Sequence, residues 1–152
     1  MTELINFEDT VSYKLARVTT AYRNALERHM GLIGLHGGQV FVLFELWRED
    51  GLKQVEIADR LNLRPPTVNK MLKGLIEINL ITLEPHDSDA RSKVIFLTDQ
   101  GVEIRHKVAA QWVELEADYL SGLTETERLV LPDLLGKLKT AYTGREDESD
   151  ED

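Results

Sequence analysis

The sequence predicts a mainly helical fold carrying one small β-hairpin, and three observations lead there. Apolar residues recur at steps of three and four towards both ends of the chain. Two short β-type runs, 81–84 and 93–97, flank a polar loop. Between the helical ends, the stretch NLRPPTVNKMLKGLIEINLITLEP (62–85) opens on paired prolines and then reads as a helix with lysines and almost no acid.

The first amphipathic helix is predicted from Glu8 to Met30, because Val11, Leu15, Val18, Tyr22 and Leu26 form one stripe. Gly31, Gly34, Gly37 and Gly38 break it. A second helix, Gln39 to Glu49, is dense in apolar and aromatic residues and ends at the Asp50–Gly51 turn. A short third helix, Gln54 to Leu61, is expected to bury Val55, Ala58 and Leu61. Glu56 supplies one half of a capping box there, and Lys53 at the cap cannot supply the other. Thr98 caps a long helix to about Leu120, with Val108, Trp112, Leu115 and Tyr119 on one side. Thr124 and Glu127 form a complete capping box for the last helix. Pro132 inside it either kinks it or marks its true start. Helix, helix, short helix, basic helix, hairpin, long helix and helix make a winged helix-turn-helix lobe with added helices.

Length and charge are consistent with one domain. The chain has 152 residues and 42% hydrophobic content, enough for a single core with a dimerisation element. No apolar run approaches the ~18 residues a bilayer span needs. MTELINFEDT carries acids where a secretory signal carries Lys or Arg. A cytoplasmic protein is therefore expected, with no membrane partner. Zero cysteines exclude thiolate catalysis, disulfides and Cys-based zinc sites. The net charge is −9, but six of the 27 acids lie in Glu146–Asp152, leaving 21 against 18 bases. That tail, 145–152, is expected to be disordered.

The basic helix is the informative element. Helical phasing puts Val68, Met71, Leu72, Leu75 and Ile76 on a buried face and Thr67, Asn69, Lys70, Lys73 and Gly74 on an exposed one. No acid occurs between Arg60 and Ile76, whereas Arg60, Arg64, Lys70 and Lys73 are cationic. Pro65 suits the first helical position, with Pro66 next and Arg64 as a weak cap. A helix start of this kind is expected to offer free N–H groups and a guanidinium to a phosphate. Asn69 and Thr67 suit base edges, and Lys70 and Lys73 suit bases or phosphates. An ordinary solvated cationic face explains the same pattern if this helix is taken alone. The hairpin shifts the balance: Arg91 and Lys93 sit near its tip, where a wing meets a minor groove or its phosphates. Asp89 is read as orienting Arg91.

Gln54–Leu61, Pro66–Leu72, Asn79-Leu80-Ile81, Asp89-Ala90-Arg91 and Ile95–Gly101 together resemble the MarR family of bacterial transcription regulators. The resemblance covers about 8–142, with a winged helix-turn-helix lobe at 39–101 and a helical dimerisation region at 8–30 plus 102–142. It implies a homodimer whose lobes bind double-stranded DNA at a pseudo-palindromic operator. It also implies repression relieved by a small, often aromatic, acid. The family's recognition helix falls on Arg64 to Ile78 and its wing arginine on Arg91. Lys53 and Arg64 stand where the family usually has hydroxyl caps.

Tyr22, Phe41, Phe44 and Trp112 line a candidate effector pocket with Arg17 as carboxylate partner; at helical spacing they equally suit a core. Some family members bind zinc, and His36 and His106 lie in suitable elements, but Ala110 stands one turn from His106. No metal, cofactor or catalytic residue is expected, because no phosphate loop or hydrolase motif is present. A winged helix that binds protein instead of DNA is the alternative.

Overall fold

Thr10, two residues after the expected start, begins the first long helix. In the computed structural model, which describes residues 4–86 and 89–149 (side chains except at 86, 89–92 and 143–149), Phe7–Asp9 form a separate 3₁₀ turn. The Thr10 hydroxyl then accepts from Tyr13 N–H, opening α1 (Val11–Gly31). α2 spans Gln39–Arg48, β1 Leu52–Lys53, α3 Gln54–Leu61 and α4 Pro65–Glu77. They are followed by β2 (Ile81–His86), β3 (Asp89–Leu97), α5 (Asp99–Glu103), α6 (Arg105–Tyr119) and α7 (Glu125–Ser149). The chain divides into two compact units, 1–115 and 116–152.

In the first unit α2 lies at the centre. Val40, Val42, Leu43 and Leu46 are fully or almost fully buried, against Met30 of α1, Ile57 of α3, and Val68, Leu72 and Leu75 of α4 among others in one core. The expected stripe on α1 divides. Leu26 and Met30 are buried, Tyr22 is partly buried, and Val11, Leu15 and Val18 are exposed. On α3 the buried pair is Ile57 and Ala58, while Val55 is 60% exposed. Eight residues make barely two turns, too few for spacing alone to fix the phase. The half-formed capping box of α3 is as expected: Glu56 Oε2 accepts from Lys53 N–H at 2.7 Å, and an ammonium has no lone pair to reciprocate.

The hairpin belongs to a three-stranded antiparallel sheet in the order β1-β3-β2. β1, only two residues long, was not legible as a strand; Leu52 pairs with Ile95 and Lys53 with Val94. Asp50 fixes its entry, since one carboxylate oxygen accepts from Gly51 N–H at 3.0 Å and Leu97 N–H at 2.9 Å. Across the hairpin the register runs from Ile81 opposite Leu97 to Pro85 opposite Lys93.

The expected long helix from Thr98 is two helices. Thr98 does cap, accepting from Gly101 N–H at 3.0 Å, but α5 closes at Glu103 and α6 opens at Arg105. The second unit holds α7, whose capping box is complete: Thr124 N–H donates to Glu127 at 2.8 Å and Glu127 N–H to Thr124 Oγ1 at 3.3 Å. The helix begins at Glu125, so Pro132 is interior and does not mark its start. It continues to Ser149, five residues into the stretch expected as a disordered tail from 145. Glu146 and Glu148 are good helix formers and extend the preceding turns. Residues 150–152 lie outside the described residues.

Gly101 joins the two halves of the lobe. A Cβ there would collide with the backbone carbonyl of Leu80, and the Gly101 carbonyl itself accepts from Trp47 Nε1 at 2.9 Å. Gly101→Ala should therefore destabilise the protein by about 3 kcal/mol or more, read as a lower urea midpoint. A change under ~1 kcal/mol would show that this contact is loose.

Candidate nucleic-acid interface

The interface begins at the turn between α3 and α4. Asn62 closes α3 in the left-handed region (φ 49°), a conformation Asn tolerates better than most residues. Leu63 N–H then reaches back to the Ala58 carbonyl at 3.0 Å. Arg64 caps α4 in extended conformation with no side-chain cap bond, and Pro65 and Pro66 occupy the first two helical positions.

This start differs from the one the sequence predicts. The two prolines have no N–H, and Thr67 and Val68 N–H both donate to the Arg64 carbonyl, at 3.0 and 3.2 Å. The row of free amides expected for a phosphate is therefore absent. What remains is the positive end of the helix dipole and the exposed Arg64 guanidinium.

Along α4 the predicted phase largely holds. Val68, Leu72 and Leu75 are buried and Met71 is partly so, while Thr67, Asn69, Lys70 and Lys73 are exposed. Two positions depart. Ile76 is 37% exposed. Gly74, expected on the open face, is half-buried against α2.

Arg60 also departs from the prediction. Its guanidinium contacts Glu49 and lies 3.5 Å from Glu45, tying α3 to α2. The hydrogen bond it donates to Glu49 pushes its pKa further up. Arg64, Lys70 and Lys73 have no ion-pair partner among the described residues. Lys93 on β3 is exposed. The side chains of Arg91 and Asp89, and therefore the expected pairing between them, lie outside the described residues.

Three aromatics of the expected effector pocket pack together, Phe41 lying 5.8 Å from Phe44 and 6.3 Å from Trp112, and they border two clefts. One, of about 440 Å³, is lined by Phe44, Trp47, Arg48, Arg105, Trp112 and neighbouring small residues of α6. Its aromatic wall is edge-packed: Phe44 and Trp112 centroids lie 5.0 Å apart at 78°, and Arg105 stands 5.8 Å over the Trp47 ring. The other, of about 540 Å³, takes Phe41 together with Arg23, Glu27, Thr67 and Met71. Arg17 and Tyr22 line neither. The cationic neighbours of the aromatics are Arg48 and Arg105. Sequence reasoning missed both, although Arg105, Val108, Ala109 and Trp112 follow helical spacing.

Among the described residues His36 and His106 fall in no cluster of three or more potential metal ligands. His36 instead meets Glu27 at 2.7 Å. Gly37 N–H, at 2.8 Å, and then His36 hold the Glu27 carboxyl below its usual range.

The lobe's sequence matches known proteins. A profile of the MarR family covers residues 36–93. The HTH-type transcriptional repressor MdtR of Bacillus subtilis is 36% identical over 108 residues, 71% of this chain and 70% of that protein. The chain belongs to the MarR family. A second relative, the HTH-type transcriptional regulator TtmR of Methylorubrum extorquens, is 32% identical over 125 residues, 82% of this chain and 61% of that protein. The crystal structure of MarR superposes with a TM-score of 0.78 at 24% identity, covering 88% and 97% of the two chains. That of the S. aureus MepR–DNA complex gives 0.76 at 26% identity, covering 87% and 98%. This MarR-family chain is a DNA-binding transcription regulator and not an enzyme. Among its described residues no helix is long and apolar enough to cross a membrane.

Proposed function

We propose that the chain is a homodimeric, cytoplasmic repressor that reads a pseudo-palindromic operator through α4 and the β2–β3 wing. The observation that carries this reading is the exposed face of Thr67, Asn69, Lys70 and Lys73, its cations without acidic partners among the described residues. In a chain of net charge −9, an acid-free face directly beside a helix-turn-helix turn suits a polyanion. Asn69 and Thr67 serve base edges. Arg64, Lys70, Lys73 and Lys93 serve phosphates or bases, with Arg91 at the wing. Pro65 and Pro66 set the helix start against the backbone. The relative named a repressor supports the direction of control.

Dimerisation is supported by apolar surface left open on separate elements. Val11, Leu15 and Val18 of α1 are exposed, as are Val130, Leu134, Leu138 and Tyr142 of α7, which repeat every fourth residue. Apolar area of this kind is uncommon on a monomer. Two copies place recognition helices about 34 Å apart, on successive major grooves.

An effector is the finer part of the proposal. The solved PcaV regulator from Streptomyces coelicolor is described in complex with its natural ligand. Here the cleft of Phe44, Trp47 and Trp112, flanked by Arg48 and Arg105, suits a small aromatic or phenolic acid. Arginine forks match carboxylates.

In-vitro selection from random duplex DNA should enrich an inverted repeat with half-sites about one helical turn apart. Lys73→Ala should weaken binding to all sequences and lower the salt slope by about 1. Asn69→Ala should relax one base position by ~1–3 kcal/mol. Arg60→Ala, whose charge already faces two glutamates, should leave the slope unchanged. No enrichment, together with a slope indifferent to Lys73, would sink the operator reading.

Light scattering should report twice the 17.3 kDa chain mass, and Leu134→Glu with Leu138→Glu should return the monomer mass. A monomeric parent chain would remove the dimer. Hydroxybenzoate should quench Trp47 or Trp112 fluorescence and lower operator affinity, both lost in Arg105→Ala. A null titration at millimolar ligand would remove the acid class.

A further inference from the structure

α2 and α4 meet through two glycines, one capping α2 and one inside α4. Gly38, at the start of α2, faces Met71 of α4, whose methyl group would lie 2.7 Å from a Cβ at position 38. Gly74 of α4 faces the end of the Gln39 side chain of α2, and a Cβ at 74 would overlap Gln39 Nε2. A glycine in a helix interior costs helix stability, so its presence in α4 needs a reason. Here the space it leaves holds a side chain.

Gln39 is the single buried polar side chain among the described residues, 5% exposed. Its far end is not free to retreat, since Oε1 accepts from His36 N–H at 2.9 Å. His36 and Gly37 are in turn held by Glu27 of α1, at 2.7 and 2.8 Å. A chain of fixed contacts therefore runs from α1, through the loop before α2, to one amide pressed on the recognition helix. Gly74 is the next residue after Lys73 and one turn beyond Lys70. A small roll of α4 on this seat moves both lysines and Asn69 together.

We propose that Gln39 is a positioning residue for operator recognition: its carboxamide, pinned by His36, is the stop on which Gly74 seats the recognition helix. Gln39 touches no DNA in this arrangement. It sets where Asn69, Lys70 and Lys73 stand relative to the base edges. The inference rests on the reading of α4 as the recognition helix.

The consequence is specific. Rolling the helix keeps every charge on the surface, so binding to arbitrary duplex, which depends on phosphate neutralisation, hardly changes. Base readout depends on geometry and suffers. The quantity to measure is the ratio of Kd for a scrambled duplex to Kd for the selected operator, by fluorescence anisotropy at one salt concentration, with full-length protein.

Gly74→Ala should lower that ratio about tenfold while scrambled-duplex Kd stays within about twofold. Adding Gln39→Ala to Gly74→Ala, which removes the blocking amide, should recover most of it. Gln39→Met alone keeps the length but cannot hold His36, and should lower the ratio with Gly74 intact; it decides the matter if Gly74→Ala fails to fold. Lys73→Ala is the control. If Lys73→Ala weakens binding while both Gly74→Ala and Gln39→Met keep the native ratio, the positioning role is overturned. Equal loss on operator and scrambled duplex, without rescue in the double variant, would also overturn it, leaving a merely structural contact. An indifferent Lys73→Ala would fail the recognition-helix reading and take this proposal with it.

Discussion

The burial of α2 is the constraint on which the lobe depends, because a helix that is apolar on nearly every side has to be surrounded. Of its ten residues only Arg48 is exposed. Each neighbour is then fixed by a different interaction. Arg60 ties α3 to Glu45 and to Glu49 just past the end of α2. Gly38 and Gly74 allow α4 to approach. Trp47 reaches the Gly101 carbonyl of α5, and Trp112 of α6 packs on Phe44. Val68, Leu72 and Leu75 complete the seam, and truncating any of them would cost ~2–5 kcal/mol. The orientation of the basic face follows. Asn69, Lys70 and Lys73 point outward because the opposite face of α4 has no other place to go.

The same packing sorts the cations. Arg60 and Arg48 face glutamates, and Arg105 lies over an indole ring. Arg64, Lys70 and Lys73 are left with open positive charge. Net charge therefore says little about partners here. Six acids fall in Glu146–Asp152, and a screening length of ~8 Å at physiological salt limits the reach of exposed charges. A local face without acids outweighs a global excess of them.

Legibility in the sequence followed the range of the interaction. The outward residues of α4, the caps at Thr98 and Thr124, and the missing half of the α3 box depend on neighbours within four positions, and all were readable. Arg60 was not, since its partners lie 11 and 15 residues upstream. Gly74 read as open surface because Gln39 is on another helix. β1 exists only through Val94 and Ile95, and two residues carry no periodicity. Phe41, Phe44 and Trp112 do come together, Phe41 lying 5.8 Å from Phe44 and 6.3 Å from Trp112, but helical spacing could not tell that Phe41 would also border a second cleft with Arg23, Glu27 and Met71.

The paired prolines deserve a different account from the one their position first invites. A proline at the first helical position gives up only an N–H that would lack a partner. A second proline gives up another donor, and the remaining two amides close on the Arg64 carbonyl. The helix start thus keeps its dipole but offers an anion no amide from its first two helical residues. In the proposed DNA-bound state a phosphate at this end would be held by the Arg64 side chain, through a fork that can engage two oxygens. Backbone amides are present whatever the side chain, whereas a guanidinium disappears with one substitution. In that proposed state the Arg64-Pro65-Pro66 start would place phosphate recognition at this end on a single replaceable residue, while the prolines hold the direction in which α4 leaves the turn.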